Sequence, residues 1–447
     1  MAYVPHTEAD RQAMLAAIGA KSIDELFREI PDSLRIKPGA LNLPPALDEG
    51  RLMDHLVELS RRNVNLTQVT SYLGAGIYDR FIPATVGAVI SRGEFLTAYT
   101  PYQPELSQGY LQTIYEFQSM IAELFGCDLA NASMYDGATA MAEAAIMAHS
   151  VNGRGRIAVS GAVHPHYRRV LETYCWSMSL QVDTLPPANG LTGNLTGIGP
   201  DTACLIVGYP NFFGAIEDLS EAREAATAAG ALLVVVADPV ACALLKPPGH
   251  FGADVVVGEG QPLGVSMGLG GPVVGLFACK TEHVRRIPGR IVGRTKEAHG
   301  ERPGYVMTLR TREQDIRREK ATSNICTNEA LMALANTVYL AAMGKNGLRA
   351  VAETTVRNTQ YAMRALGAAG ASLKFSAKVF GEFVVALPNG RDAAEVRDRL
   401  LEKGILAGLP LGPYYPELRT CLLVAVTERR TKAQIDEYAA ALGEVLA

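Results

Sequence analysis

Between residues 136 and 280, short apolar runs rich in Val, Ile and Leu alternate with stretches of helical spacing. The runs at 157–163, 180–185, 203–207, 231–237, 254–257 and 273–278 read as strands, and 164–178 and 218–229 read as helices between them. Runs that are apolar at every position, rather than at alternate ones, predict strands buried on both faces of a mostly parallel sheet joined by helical crossovers. Upstream, Ile114, Phe117, Ile121, Ala122 and Phe125 recur at helical spacing before Gly126, which predicts a helix over 110–125 with a glycine stop. Residues 8–30 predict two short helices split at Gly19, with Ser22 and Glu25 in capping-box spacing and Pro31 as the stop. A Pro- and Gly-rich loop and a charged helix over 48–61 follow. After 280 comes a basic segment, 284–320, and then helices starting near 328 and 345. From 373 the order is strand, strand, helix, strand, helix, an α+β pattern. The predicted organisation is an N-terminal arm with helices (1–95), a large α/β domain (96–345) and a small C-terminal α+β domain (346–447).

Composition narrows the classes of function. The 447 residues suffice for two or three domains, and 48% hydrophobic with 20% charged residues argues against a disordered or fibrous chain. Forty-two Lys and Arg against 46 Asp and Glu leave a net charge of -4, too balanced for the cationic field that nucleic acid or an anionic membrane would need. The seven cysteines form no CxxC pair, and Cys204 and Cys279 sit in apolar runs, so no disulfide framework or zinc knuckle is expected and a reducing cytoplasm is. The most apolar stretch, 230–245, is broken by Asp238 and Pro239, and no membrane span is expected.

Three features could carry chemistry. Asp136, Gly137, Ala138, Thr139 and Ala140 open an Ala-rich helix, whose backbone N–H groups and hydroxyl suit an anion. The plainer alternative makes Asp136 an N-cap and Gly137 a turn. His164 follows one predicted strand and Asp238 another, at the carboxyl ends where open α/β sheets bind ligands. Their alternatives are a His that satisfies a loop carbonyl and an Asp that caps a turn. Taken together, a helix N-terminus for phosphate, a ring to stack and an acid for a pyridine nitrogen stand in the order found in pyridoxal-phosphate enzymes of the aspartate-aminotransferase fold (fold type I). That fold also needs a Schiff-base lysine some 20–30 residues after the Asp. Here Lys246 lies too early and Lys280 too late, and Gln261 stands where the amine is wanted. A Gln side chain forms no imine, so the chain reads as the fold without its own attachment point. The loop from Ser71 to Gly76 could let backbone approach a ligand or be a plain turn.

The segments AYTPYQPELSQGYLQTIYEFQSMIAELFGCDLANASMYDGATAMAEA (98–144), NFFGAIEDL (211–219), ADPVACALLKPPGHFGADVVVGEGQPLGVSMGLGGP (237–272) and REQDIRREKATSNICTNEAL (312–331) resemble the P-protein family of the glycine cleavage system, glycine dehydrogenase (decarboxylating). The resemblance is to subunit 1, the N-terminal half found as a separate chain in many prokaryotes, and it runs over almost the whole sequence. It implies a complex with subunit 2, which carries pyridoxal phosphate on its lysine, decarboxylates glycine and passes the aminomethyl group to the lipoyl arm of H-protein. It also places the active site at the contact between the subunits, with this chain supplying residues from the far side. Tyr99, Tyr102, Glu105 and Gln108 are the candidates, in a polar segment over 97–109; the alternative is an ordinary interface loop. Asn324 and Thr327 are candidate contacts to the phosphate of the partner's cofactor, with Thr327 as a simple N-cap the alternative. Asp136, Gly137, Ala138, Thr139, His164, Asp238 and Gln261 then form an empty counterpart site. The arginines of 284–320 would face H-protein or the subunit contact, or be a solvated face. Two competing readings are a scaffold with a vestigial cavity and an enzyme that holds pyridoxal phosphate non-covalently.

Overall fold

The apolar runs between 136 and 280 assemble as expected. A computed structural model describes every residue except 1–4, 38, 102, 269, 311, 312, 322, 324 and 326. Among the described residues the central sheet has seven strands: β1 (Leu129–Ala130), β2 (Arg156–Ser160), β3 (Gln181–Leu185), β4 (Thr202–Tyr209), β5 (Leu232–Ala237), β6 (Val255–Glu259) and β7 (Gly275–Cys279). Their spatial order is β1-β7-β6-β5-β4-β2-β3. The four pairings from β6 to β3 are parallel, while β7 runs antiparallel to both β6 and β1. Every residue of β4 is buried, as its uninterrupted apolar run requires. The chain order reverses beside β2, and Tyr209 of β4 pairs with Ala237 of β5 while Val236 pairs with Val257 of β6. Three carboxyl ends therefore lie side by side at the place where such sheets bind ligands.

Helices α1 (Gln108–Phe125), α2 (Gly137–Asn152), α3 (Pro165–Ser177) and α4 (Leu219–Ala229) flank the sheet. Gly126 ends α1 in the left-handed conformation (φ 68°), the predicted stop. Helix α2 is buried on almost every side, which its run of alanines permits because small side chains let it lie close to the strands. The predicted helices from 328 and 345 form one long element, α5 (Ala330–Ala368), broken at Gly344 (φ 59°, ψ -177°). The small C-terminal part is an antiparallel sheet of Ser372–Leu373, Glu382–Ala386, Cys421–Ala425 and Leu409–Pro410, with helices Ala393–Leu401 and Lys432–Leu446.

Two expectations change. The basic segment 284–320 is not only a charged run: Ile291–Lys296 and Pro303–Thr308 pair as an antiparallel hairpin. Its strands are only half-buried, so they lack the continuous apolar signature of the central sheet. By internal contacts the chain divides into residues 1–64 and 65–447. Within the first unit, Glu8–Ala17 is a helix with a reciprocal Thr7–Asp10 cap, but the second predicted helix is a single 3-10 turn, Asp24–Phe27. Ser22 Oγ accepts from the Glu25 N–H at 3.3 Å, yet the Glu25 carboxylate turns back to the Lys21 N–H at 2.6 Å instead of closing the box. Helix Glu49–Arg61 starts at the Asp48 cap, as expected, and buries none of its residues. No helix among the described residues is long and apolar enough to cross a membrane.

Candidate functional site

The carboxyl ends of β4, β5 and β6 surround a cavity lined by Tyr78, His164, Tyr167, Asp238, Glu259 and Glu382, among others. Its free interior of about 80 Å³ holds only a few water-sized groups. Nearly every polar group that the sequence placed here is engaged by the chain itself. At the start of α2, Asp136 is the N-cap: its carboxylate accepts from the Thr139 N–H at 2.7 Å and the Thr139 hydroxyl at 3.1 Å. The Gly137 N–H donates to Glu259 Oε2 at 3.1 Å, and Glu259 Oε1 accepts from the N–H groups of Gln261 at 3.0 Å and Val274 at 3.2 Å. A Cβ at position 137 would lie 2.5 Å from the Tyr167 hydroxyl, so only glycine lets the helix start this close. Burial lifts the Glu259 carboxyl to about 7, against the pull of its three backbone donors.

His164 and Asp238 both follow their plainer alternatives. The imidazole Nδ1 accepts from the His166 N–H at 3.1 Å, and Nε2–H donates to the Ala75 carbonyl at 2.8 Å. Burial pushes this ring down to about 4, so it is neutral near pH 7. One edge of the ring is met by Phe212, and Tyr167 lies 5.0 Å away. Asp238 Oδ1 accepts from the N–H groups of Val240 at 2.7 Å and Ala241 at 3.1 Å, and Oδ2 lies 3.8 Å from the buried Arg80. Gln261, 1% exposed, donates to the carbonyls of Tyr78 at 3.0 Å and Val265 at 2.9 Å and accepts from the Tyr78 N–H at 2.9 Å. The loop at 71–76 does bring backbone close, but to the protein: a Cβ on Gly74 would meet Ala425 Cβ and Glu382 Oε1, both at 2.4 Å. Glu382, from the first position of its strand, accepts from the Ala75 N–H at 2.7 Å and the Tyr78 hydroxyl at 2.8 Å, and burial lifts it to about 7.

These residues do not fit pyridoxal phosphate. There is no amine at 261, the Gly137 and Thr139 N–H groups at the helix start are taken by Glu259 and Asp136, and the interior is small. Glu259 and Glu382 were not singled out by sequence reasoning. Glu259 sits inside the quoted window, as an acid where an apolar strand ends, which is the one local signal it offers.

A second group of residues lies elsewhere. In the 97–109 segment Tyr99 is 73% exposed and Glu105 is exposed, and neither side chain hydrogen-bonds within the described residues. Tyr102 and Asn324 lie outside the described residues. Gln108 belongs to the first turn of α1, not to the loop. Its amide donates to the carbonyls of Pro104 at 2.6 Å and Tyr305 at 2.9 Å and accepts from the Tyr305 N–H at 2.8 Å, which fastens the segment to the hairpin. Thr327 is not an N-cap: α5 begins after Glu329, whose N–H is met by the Ser133 hydroxyl at 3.1 Å. Instead the Thr327 and Thr100 hydroxyls each lie 3.4 Å from Arg290 Nη1. Arg290 Nε is buried and has no hydrogen-bond partner. In the sequence this arginine is one of a charged run. Its distinguishing mark is position, directly after Pro288 and Gly289 and before the hairpin.

The strand order and the mostly parallel sheet define the fold type I architecture of pyridoxal-phosphate-dependent transferases. An alanine–glyoxylate aminotransferase from Nostoc sp. superposes with a TM-score of 0.60 at 19% identity, covering 93% of this chain and 100% of that one, which shows the architecture alone. The glycine cleavage system P-protein family model matches residues 1–442. A chain of Anoxybacillus flavithermus named "Probable glycine dehydrogenase (decarboxylating) subunit 1" is 49% identical over 446 residues, 99% of this chain and 98% of that one. The crystal structure of a glycine decarboxylase (P-protein) of the glycine cleavage system, in inhibitor-bound form, superposes with a TM-score of 0.93 at 43% identity over the full length of both. The chain belongs to the glycine cleavage system P-protein family, and within it corresponds to subunit 1 of glycine dehydrogenase (decarboxylating).

Proposed function

We propose that this chain completes, from outside, an active site carried by subunit 2. In that reading subunit 2 holds pyridoxal phosphate on its lysine, glycine is decarboxylated there, and the aminomethyl group passes to the lipoyl arm of H-protein, all in the cytoplasm. The observation that carries it is the state of this chain's own cavity. It has a satisfied Gln261 in place of an amine and an N-cap and a glutamate in place of a phosphate.

The working surface of this chain is then the 97–109 segment with its neighbours. Arg290 sets a permanent charge between two hydroxyls, an arrangement suited to an oxyanion such as the cofactor phosphate or the glycine carboxylate presented by the partner. Thr327 contributes one of those hydroxyls, and Asn324 stands in the same segment. Tyr99 and Glu105 keep free hydrogen-bonding capacity for orienting glycine or holding a proton, Tyr102 is assigned a role beside them from the sequence alone, and Gln108 fixes the segment. The test is glycine–bicarbonate exchange with pyridoxal phosphate and lipoylated H-protein present. The isolated chain should be inactive and should gain activity on mixing with subunit 2. Robust exchange by this chain alone overturns the reading.

A further inference from the structure

We propose that the Glu259 carboxyl group takes the place of a cofactor phosphate, so that the folded chain fills this position itself and has no site for a phosphorylated ligand. The proposal shares with the proposed function the reading that this chain carries no cofactor, but it concerns this chain alone and is tested on it alone.

The argument starts from the helix end. The first N–H groups of α2 have no partner within the helix and, lying in the interior, must find one. An anion is the natural partner, because both the free donors and the helix dipole favour negative charge there. In this chain the Thr139 N–H is met by Asp136 and the Gly137 N–H by Glu259, which reaches over from the carboxyl end of β6. The same carboxylate is held by Gln261 and Val274, so a single side chain gathers three backbone donors from three separate segments: the start of α2, the turn after β6, and the stretch leading into β7. That is the work a bound oxyanion performs, done by a covalently attached one. A phosphate entering here would compete for donors already in use and would crowd the Asp136 and Glu259 carboxyl groups.

Closure has a second layer. Tyr167 is packed against position 137, and Gly74 brings the 71–76 loop against Glu382 with no space to spare. The Ala75 carbonyl and N–H are held by His164 and Glu382 respectively. Glu259 and this loop thus each tie part of the cavity lining to the chain's own backbone.

Thermal melting of the full chain, with inorganic phosphate as the probe, tests the proposal. The wild-type midpoint should not move when phosphate is added. Glu259→Ala should melt several degrees lower, because three buried N–H groups lose their acceptor, and phosphate should raise its midpoint by filling the vacated place. A wild-type midpoint that rises with phosphate overturns the proposal, as does a Glu259→Ala chain that melts like wild type or ignores phosphate. Should Glu259→Ala fail to fold in any buffer, Glu259→Gln decides. The amide keeps the shape but turns one acceptor into a donor aimed at a backbone N–H, so a drop of several degrees supports the proposal and a wild-type midpoint contradicts it. These melts leave the exchange assay of the complex untouched, so either result can stand without the other.

Discussion

The cavity at the ends of β4, β5 and β6 and the segment around Glu105, Arg290 and Thr327 hold the same kinds of groups in opposite states. In the cavity, Asp136, His164, Asp238, Glu259, Gln261 and Glu382 each bond to backbone of their own chain. In the segment, the Tyr99 and Glu105 side chains are exposed, and Arg290 Nε has no partner. A group that must bind something else has to keep hydrogen-bonding capacity in the free protein, whereas a group that holds the fold uses it up. The difference is what the proposed function builds on: it assigns the engaged groups to the fold and the free ones to a partner, although the sequence marks both with chemically promising residues.

The sharpest way to break this comparison is at Arg290. Arg290→Met should lower the exchange rate of the reconstituted complex by ~10²–10³-fold, the usual scale for a lost charge-stabilising donor. Arg290→Lys, which keeps the charge but not the planar fork, should recover part of it. Wild-type exchange in Arg290→Met would leave Thr100 and Thr327 without a role. Next, Tyr102→Phe should slow exchange by ~10²-fold if the hydroxyl orients substrate or relays a proton. Loss of exchange with an unchanged elution position and thermal midpoint separates that role from a structural one.

The cavity side is tested by restoring the missing amine. Gln261→Lys removes a buried amide that makes three hydrogen bonds, so it should destabilise the chain by ~1–3 kcal/mol. It should also give no absorbance from a pyridoxal phosphate imine, because Glu259 still fills the cradle. An imine band in this single variant would mean that the cavity is intact. The smallest effect is on pH. The Glu382 carboxyl is lifted to about 7 in the fold, above its ordinary 4.5, so the folded state binds its proton more tightly than the unfolded state does. Its contribution is fully present below about pH 4.5 and is lost as pH rises through 7. Glu382→Gln should therefore flatten the decline of the thermal midpoint between pH 5 and 8, and an unchanged slope would remove Glu382 from the set of buried acids.

The central strands were legible because a doubly covered strand is apolar throughout, a signal local to a handful of residues. The hairpin after Pro288 was not, because its strands are only half-buried and one carries Arg294 and Lys296, the pattern of a charged surface. Position 261 was legible as the lack of a lysine, and Asp136, His164 and Asp238 were legible as strand and helix ends. Their partners were not. Ala75 and Glu382 are separated by 307 residues and meet only in the folded chain, as do Gly137 and Glu259 across 122. Whether a promising side chain is free or engaged depends on such pairings, and no local pattern encodes them.

The central claim, that one locus works and the other only folds, is tested most directly by comparing Glu105→Gln with Glu259→Gln in the same reconstituted complex. Exchange rate and thermal midpoint would be read for each. Glu105→Gln should lose ~10²-fold in rate with its midpoint unchanged, and Glu259→Gln should lose midpoint while keeping the rate per folded complex. A wild-type rate in Glu105→Gln together with a collapsed rate in intact Glu259→Gln complex would contradict the account and move the chemistry into the cavity.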